Sequence, residues 1–329
     1  MQVVEFVFIM GLSGLYGYIN GLHGSASIVA TVISSRALQP RTALWFAALG
    51  ISLGPFLLGI AVANTLGTEL MRPETATVKL IAAGLVGAIV WSGFTLWLRI
   101  PSSISQALIG GIIGAGLAAL GPGGVQLAGL NKIVIALLIS PVIGMIGAFV
   151  LVRLTYRLTQ QASPTINRWL RRLQVIASFL VAVSFGANDC QKIVAVLTLG
   201  LIAVGAQETF SIPLWVVIYC ALTITLGTLV GGHRLIQTLG NKFYKVRPIH
   251  GFGSQLASGF IILVAGLTGS PVSGSQVVTS AIIGSGSADR IQKVRWRTAQ
   301  TIAIGWLLTL PLSAVTSYLT YSLFNTALL

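Results

Sequence analysis

Apolar residues run along most of the chain in stretches of about twenty, and short polar segments separate them. A transmembrane helix needs about 20 consecutive apolar residues, whereas a barrel strand needs about ten with alternating polarity. The pattern therefore predicts an all-α integral membrane protein. The predicted segments are 3–34, 42–66, 78–98, 101–120, 132–154, 173–204, 212–232, 251–267, 271–286 and 298–324.

Composition supports a membrane protein, because only 8% of the 329 residues are charged, against about 25% in soluble domains. The net charge of +14 would fit a nucleic-acid partner, but the Lys and Arg residues lie in short loops between the predicted helices. That distribution is the positive-inside pattern. We therefore expect no nucleic-acid partner and a multi-pass protein of the cell (inner) membrane. Placing the basic loops in the cytoplasm puts both termini outside.

The predicted helix 173–204 carries several polar residues at its centre. Its residues 184–192 read Ser-Phe-Gly-Ala-Asn-Asp-Cys-Gln-Lys. An Asp or Lys at the centre of a membrane helix costs about 2.5–3.5 kcal/mol. Such residues usually face protein or a water-filled cavity, and they mark ion or substrate paths. The alternative is an interhelical ion pair with a purely structural role.

The two halves of the chain share an internal repeat. Residues 101–106 read Pro-Ser-Ser-Ile-Ser-Gln, and residues 271–276, 170 positions later, read Pro-Val-Ser-Gly-Ser-Gln. Residues 21–24 likewise parallel residues 186–189. With five segments in each half, an odd number, the copies would insert with opposite orientations, as in secondary transporters whose site lies near the midplane.

The predicted units are a first inverted repeat at 1–155, a basic cytoplasmic linker at 156–172 and a second inverted repeat at 173–329. Each repeat would have about five membrane segments, with interrupted helices or helical hairpins. The segments that begin at Pro101 and Pro271 are either re-entrant hairpins or full crossings, because hydropathy does not separate the two.

The Ser-x-Ser-Gln elements each precede an apolar, Gly-rich helix. Serines at a helix start leave hydroxyls and free backbone N–H groups facing one spot, at the positive end of the helix dipole. Two such starts would hold one tetrahedral oxyanion between them, although ordinary N-capping by Ser is the simpler alternative. The predicted substrate-binding residues are Ser103, Ser105, Gln106, Ser273, Ser275, Gln276 and Lys192.

Other polar groups suit a coupling cation. The carbonyl oxygens of Asn188 and Asn20 fit a hard cation such as Na⁺, and Asp189 would accept a proton or bind the cation. Sodium is therefore predicted at Asp189 and Asn188. His23 would carry protons, although a satisfied core histidine is the commoner case. Lys192 would lie near the anion, and its alternatives are a salt bridge to Asp189 or snorkelling.

Several short motifs together resemble the inorganic phosphate transporter (PiT) family. They are Gly-Ala-Asn-Asp-x-Gln-Lys at 186–192, Pro-Val-Ser-x-Ser at 271–275, Val-Arg-Trp at 294–296, Pro-Ile-His-Gly-Phe at 248–252 and Asn-Gly-Leu-His at 20–23 with 28–38. The resemblance implies two inverted repeats, helical hairpins and cation-coupled uptake of phosphate. The ligand candidates that it implies are Asn188, Asp189, Ser103, Ser105, Ser273 and Ser275.

The first motif departs from the family pattern. The family usually reads Gly-Phe-His-Asp-Ala-Ala-Asn, whereas residues 21–27 read Gly-Leu-His-Gly-Ser-Ala-Ser, so Gly24 replaces the Asp and Ser27 the Asn. Gln106 and Gln276 stand where the hairpins usually end in His. Losing a carboxylate disfavours coupling to two sodium ions, because a buried ion needs a counter-charge. Restoring the carboxylate with Gly24→Asp should increase sodium dependence. Ser27 joins Asn188, Asp189, Asn20 and His23 as predicted cation-coupling residues.

The sequence thus predicts a secondary active permease for inorganic phosphate that works by alternating access. Its coupling ion would be a proton or sodium, with no other cofactor. One alternative is a permease of the same family for sulfate or a related oxyanion, and another is a degenerate, non-transporting membrane sensor or scaffold. No nucleotide-binding Gly-Lys-Ser/Thr motif points to an enzyme. The oligomeric state stays open, and a homo-oligomer is compatible with the sequence.

Overall fold

The computed structural model describes residues 2–98, 100–241, 244 and 246–327, and over these residues it is helical with no strand. The all-helical prediction is therefore confirmed. The helices are α1 (Gln2–Ser34), α2 (Pro40–Leu57), α3 (Ala61–Asn64), α4 (Val78–Trp97), α5 (Ile104–Leu120), α6 (Leu127–Leu158), α7 (Ile166–Ala203), α8 (Leu214–Val230), α9 (His233–Asn241), α10 (Pro248–Leu267), α11 (Gly274–Asp289) and α12 (Trp296–Ala327).

Seven helices in the described part of the chain are long and apolar enough to cross a membrane. An eighth is added if α2 and the helical stretch Ala61–Glu69, which meet at a 70° bend, count as one span. The sequence predicted ten segments. The difference arises because α8 and α11 have only 17 and 16 residues, and hydropathy does not show where an apolar stretch stops being helical.

Several helices extend beyond their apolar stretches. α6 and α7 continue into the predicted linker 156–172, so that only residues 159–165 connect them outside helix. The polar motif at 184–192 does not interrupt α7 either. The breaks lie instead between α2 and α3 and between α8 and α9.

Helices of the two halves pack against one another reciprocally. α2 packs on α7 and α8 packs on α1, while α5 packs on α12 and α11 packs on α6. α4 contacts α5 and α12, and α10 contacts α11 and α6 in the same way. This exchange is what two interleaved copies of one unit would produce. The opposite orientation of the copies stays a prediction.

Glycines allow two of these helix pairs to approach closely. A Cβ atom on Gly186 of α7 would collide with the carbonyl oxygen of Ile51 on α2. A Cβ atom on Gly227 of α8 would collide in the same way with the carbonyl oxygen of Tyr18 on α1. Small residues at such crossings are typical of membrane helices, where close van der Waals contact drives association.

Polar side chains on α1 and α7 satisfy backbone groups at the two helix breaks. Gln191 Oε1 accepts hydrogen bonds from the N–H groups of Val62 (2.7 Å) and Ala63 (3.3 Å) at the start of α3. Ser25 Oγ accepts one from Gly232 N (2.9 Å) between α8 and α9. Because unpaired backbone groups are costly away from water, these bonds stabilise both breaks.

The close helix crossing can be tested with a glycine substitution. Gly227→Ala should destabilise the purified protein by about 1–3 kcal/mol, because the added methyl forces α1 and α8 apart. A Cβ atom on Gly93 of α4 would meet no neighbouring atom within 4 Å, so Gly93→Ala is the matched control and should be neutral or slightly stabilising. Thermal unfolding in detergent measures both changes. Equal melting temperatures for the two variants would contradict the packing described above.

Candidate anion site between two helix starts

The starts of α5 and α11 meet inside the protein. Ser103 and Ser273 are their N-cap residues, and each accepts the backbone N–H of the glutamine three positions on, Gln106 at 3.2 Å and Gln276 at 3.4 Å. Ser103 Oγ also donates to Ser273 Oγ at 2.8 Å. Both serines are fully buried. The predicted capping and the predicted convergence of the two elements therefore occur together.

This convergence brings two positive helix ends to one place. Each helix N-terminus carries roughly half a positive charge, spread over N–H groups that have no acceptor within the helix. Two such ends in contact repel each other unless negative charge lies between them. The predicted oxyanion would supply that charge and accept hydrogen bonds from these N–H groups.

Lys192 of α7 joins the two helix starts through its ammonium group. Its Nζ donates to Asp189 Oδ1 at 2.5 Å, to Ser105 Oγ at 2.7 Å and to the carbonyl oxygen of Val272 at 2.6 Å. An ammonium has three N–H donors, so these bonds use all of them. Ser105 Oγ also lies 3.5 Å from Asp189 Oδ1. Lys192 and its carboxylate partner therefore lie where the two helix starts meet, and their predicted roles in binding stay predictions.

Further bonds hold the two starts to α1 and α7. Tyr16 Oη donates to the carbonyl oxygen of Ile104 at 3.0 Å, and Asn188 Nδ2 donates to that of Ser270 at 3.3 Å. Sequence reasoning missed Tyr16, although it stands four positions before Asn20 and thus on the same face of α1. The sequence analysis also included Gln191 in the polar motif without predicting a role for it.

Four predicted residues keep a buried side-chain oxygen that accepts no hydrogen bond within the described part of the chain. They are Asn20, Gln106, Asn188 and Gln276. A buried acceptor without a donor costs about 1–3 kcal/mol, so these oxygens favour a bound donor. They are candidates to contact a ligand or water.

His23 and Ser27 lie on α1 without bonding to the Asp189–Lys192 pair. His23 Nε2 is 3.2 Å from the carbonyl oxygen of Ser92 in α4, which makes it a partnered histidine between two helices. Ser27 is 1% exposed. Their predicted roles in cation coupling stay predictions.

The fold and the buried site together define a multi-pass membrane transport protein. A model of the phosphate transporter family matches residues 20–317. The chain is 38% identical over 323 residues to a Rhizobium meliloti protein described as "Probable low-affinity inorganic phosphate transporter", with 97% of each chain covered. A Bacillus subtilis protein of the same description is 36% identical over 317 residues, with 94% of each chain covered.

A solved structure described as "The sodium-dependent phosphate transporter" has the same fold, with a TM-score of 0.88 at 21% identity, covering 98% of this chain and 99% of that one. The chain belongs to the phosphate transporter family. The resemblance found in the sequence is thereby confirmed, and so is the prediction that the protein is not an enzyme.

The bond between the two caps can be tested by a double-mutant cycle. Ser103→Ala and Ser273→Ala should each destabilise the protein by about 0.5–2 kcal/mol through loss of an N-cap. The double variant should lose less stability than the two single variants lose together. The difference should be about 0.5–1.5 kcal/mol, because both substitutions remove the same bond. Unfolding of the purified variants in detergent gives these values.

Ser52 of α2 provides the control, because its hydroxyl bonds only to Leu49 of its own helix. Ser52→Ala combined with Ser103→Ala should be additive. Additivity of the Ser103 and Ser273 substitutions would show that the two helix starts do not meet through their caps.

Proposed function

We propose that the protein is a secondary active permease of the cell (inner) membrane that binds inorganic phosphate between the starts of α5 and α11. The observation that carries the proposal is the 2.8 Å contact between Ser103 and Ser273 at two helix N-termini. Asp189 and Lys192 cancel each other's charge, whereas the two helix ends leave about one positive charge in total. The names of the relatives from Rhizobium meliloti and Bacillus subtilis support inorganic phosphate as the anion.

The acceptor oxygens favour phosphate over sulfate. Hydrogen phosphate carries a hydroxyl that donates a hydrogen bond, whereas sulfate at neutral pH has only acceptors. The unpaired oxygens of Gln106 and Gln276 would accept from that hydroxyl, while the N–H groups of the helix starts would donate to the other oxygens. A sulfate would offer no donor to these oxygens, and leaving each unpaired would cost about 1–3 kcal/mol unless the amide turned its NH2 group toward the anion.

Burial of the site supports alternating access. Every predicted site residue is at most 9% exposed, so an anion would reach the site only after the helices around it move. Opening toward one side and then the other, with one half rocking against its counterpart, would carry the anion across. Movement of the starts of α5 and α11 would break their bonds to α1 and α7, such as that of Tyr16. A cation, either a proton or sodium, would drive uptake.

Uptake of labelled phosphate into vesicles containing the purified protein tests the substrate. Arsenate should compete, because it is tetrahedral and carries a hydroxyl, whereas an equal concentration of sulfate should not. Imposing sodium and proton gradients separately identifies the driving ion. Competition by sulfate but not arsenate would point to a sulfate permease. If no gradient produced uptake, the protein would be a non-transporting sensor or scaffold instead.

The role of Asp189 has its own test. Asp189→Asn should reduce phosphate uptake at least about tenfold, the equivalent of about 1.4 kcal/mol, because Lys192 loses its counter-charge beside the anion. Glu69→Gln is the matched control, since Glu69 pairs with Lys132 at an exposed position (2.9 Å) and should leave uptake unchanged. The variants are compared at equal amounts of folded protein. Uptake by Asp189→Asn at the wild-type rate would place the site elsewhere.

A further inference from the structure

The internal repeat relates two sets of oxygen positions at the helix starts. Each set contains a serine hydroxyl from the start of α5 or α11, a carbonyl just before the start of the other helix, and a position on α1 or α7. The offsets of 170 between the two helix starts and 165 between α1 and α7 pair Ser105 with Ser275, Val272 with Ser102, Asp189 with Gly24 and Lys192 with Ser27. The two sets can therefore be compared group by group.

The oxygens of the first set converge on one cation. Ser105 Oγ, the Val272 carbonyl and the Asp189 carboxylate all lie within hydrogen-bonding distance of Lys192 Nζ, as given above. A hydroxyl, a carbonyl and a carboxylate are the kinds of oxygen that bind hard metal cations. Here the cation at their centre is a fully buried ammonium tethered to α7.

The second set is closed by direct contacts between its own groups. Ser275 Oγ donates to the carbonyl oxygen of Ser102 at 3.3 Å, so that the two oxygens satisfy each other. Gly24 provides no carboxylate. The ring of the buried Phe185 lies against that glycine, since a Cβ atom there would be 2.7 Å from Phe185 Cε1. The same ring packs on Gly274.

We propose that Lys192 is a built-in cation, which occupies the position that a free alkali cation would take between Asp189 and the starts of α5 and α11. The second position is closed by Gly24 and Phe185. On this proposal the ammonium takes the place of the sodium that the sequence predicted at Asp189 and Asn188, because Nζ lies at Asp189 Oδ1. The proposal rests on the proposed function for the anion and extends it: phosphate would be bound without an alkali metal ion, so that of the two coupling ions considered there the proton is favoured.

Removing the ammonium should expose a cation site. Lys192→Ala leaves the three oxygens with one negative charge and space between them. Its melting temperature should be lower than that of the wild type in choline chloride, and it should rise by about 3 °C or more in sodium, lithium or methylammonium chloride, because a ligand that binds only the folded state stabilises it. The wild type should melt at the same temperature in all four salts at equal ionic strength.

Two controls separate this effect from general salt effects. Lys132→Ala removes an exposed lysine that also pairs with a carboxylate, and it should show no specific cation response. The double variant Lys192→Met with Asp189→Asn removes both charges, so it should fold without a cation and respond to none.

A further double variant tests the position at Gly24 that Phe185 closes. Gly24→Asp combined with Phe185→Leu should create a response to sodium, because the carboxylate then has room, whereas Phe185→Leu alone should create none. This variant refines the expectation from the sequence that Gly24→Asp alone would increase sodium dependence. Because a Cβ atom on Gly24 would be only 2.7 Å from Phe185 Cε1, the Phe185 ring must move or be replaced before an aspartate fits there. A sodium response of Phe185→Leu alone would overturn the assignment of this position.

The outcomes separate this proposal from the proposed function, since melting temperatures in different salts do not depend on transport. A higher melting temperature of the wild type in sodium chloride than in choline chloride would overturn the proposal that Lys192 is a built-in cation. So would a folded Lys192→Ala variant whose melting temperature is the same in all salts. If Lys192→Ala does not fold in any salt, the melting temperatures of the wild type and of the double variant Lys192→Met with Asp189→Asn test the proposal. An unresponsive wild type and double variant would then support the proposal, and a sodium response in either would overturn it.

Discussion

Two helix starts of like polarity lie against each other at Ser103 and Ser273, and much of the surrounding structure compensates for that contact. Each end carries roughly half a positive charge, and neither end reaches water. The two caps satisfy one donor each, and Tyr16 fixes a carbonyl of the first turn of α5. The remaining donors and the charge would be available to an anion, and on the proposed function the least favourable feature of the fold would serve as its recognition element.

The long helices α1 and α7 make this arrangement tolerable in a membrane. Their polar residues lie in unbroken helix, where each backbone group has its own partner, and the side chains are therefore free to serve neighbouring elements. Gln191 and Ser25 pair with the backbone at the two breaks, and Lys192 pairs with the starts of both α5 and α11. At these points backbone groups outside regular helix find partners within the protein, which is the condition for irregular backbone at membrane depth.

The sequence predicted the helical class, the family and the residues that meet at the centre, because polar groups in apolar stretches and a repeated Ser-x-Ser-Gln element leave a clear signal. Two of its ten predicted segments, 212–232 and 271–286, contain the short helices α8 and α11, and their crossing of the membrane stays a prediction. It also gave Gln191 no role, since a helix break on another element is invisible in the local pattern. The position of Phe185 against Gly24 follows from packing between distant segments, which periodicity does not encode.

The pairing of Lys192 with Asp189 bears on how tightly the anion is held. A buried lysine without a partner would place a full positive charge beside phosphate and bind it strongly, whereas a transporter must also release its substrate. Neutralised by the carboxylate, the ammonium adds no net charge, and attraction comes from two helix ends and a few hydrogen-bond donors. On the proposed function, such donors would select the anion by geometry, and the acceptor oxygens of Gln106 and Gln276 would select it by its own hydroxyl. The same pair that would exclude an alkali cation would therefore keep binding both selective and weak enough for release.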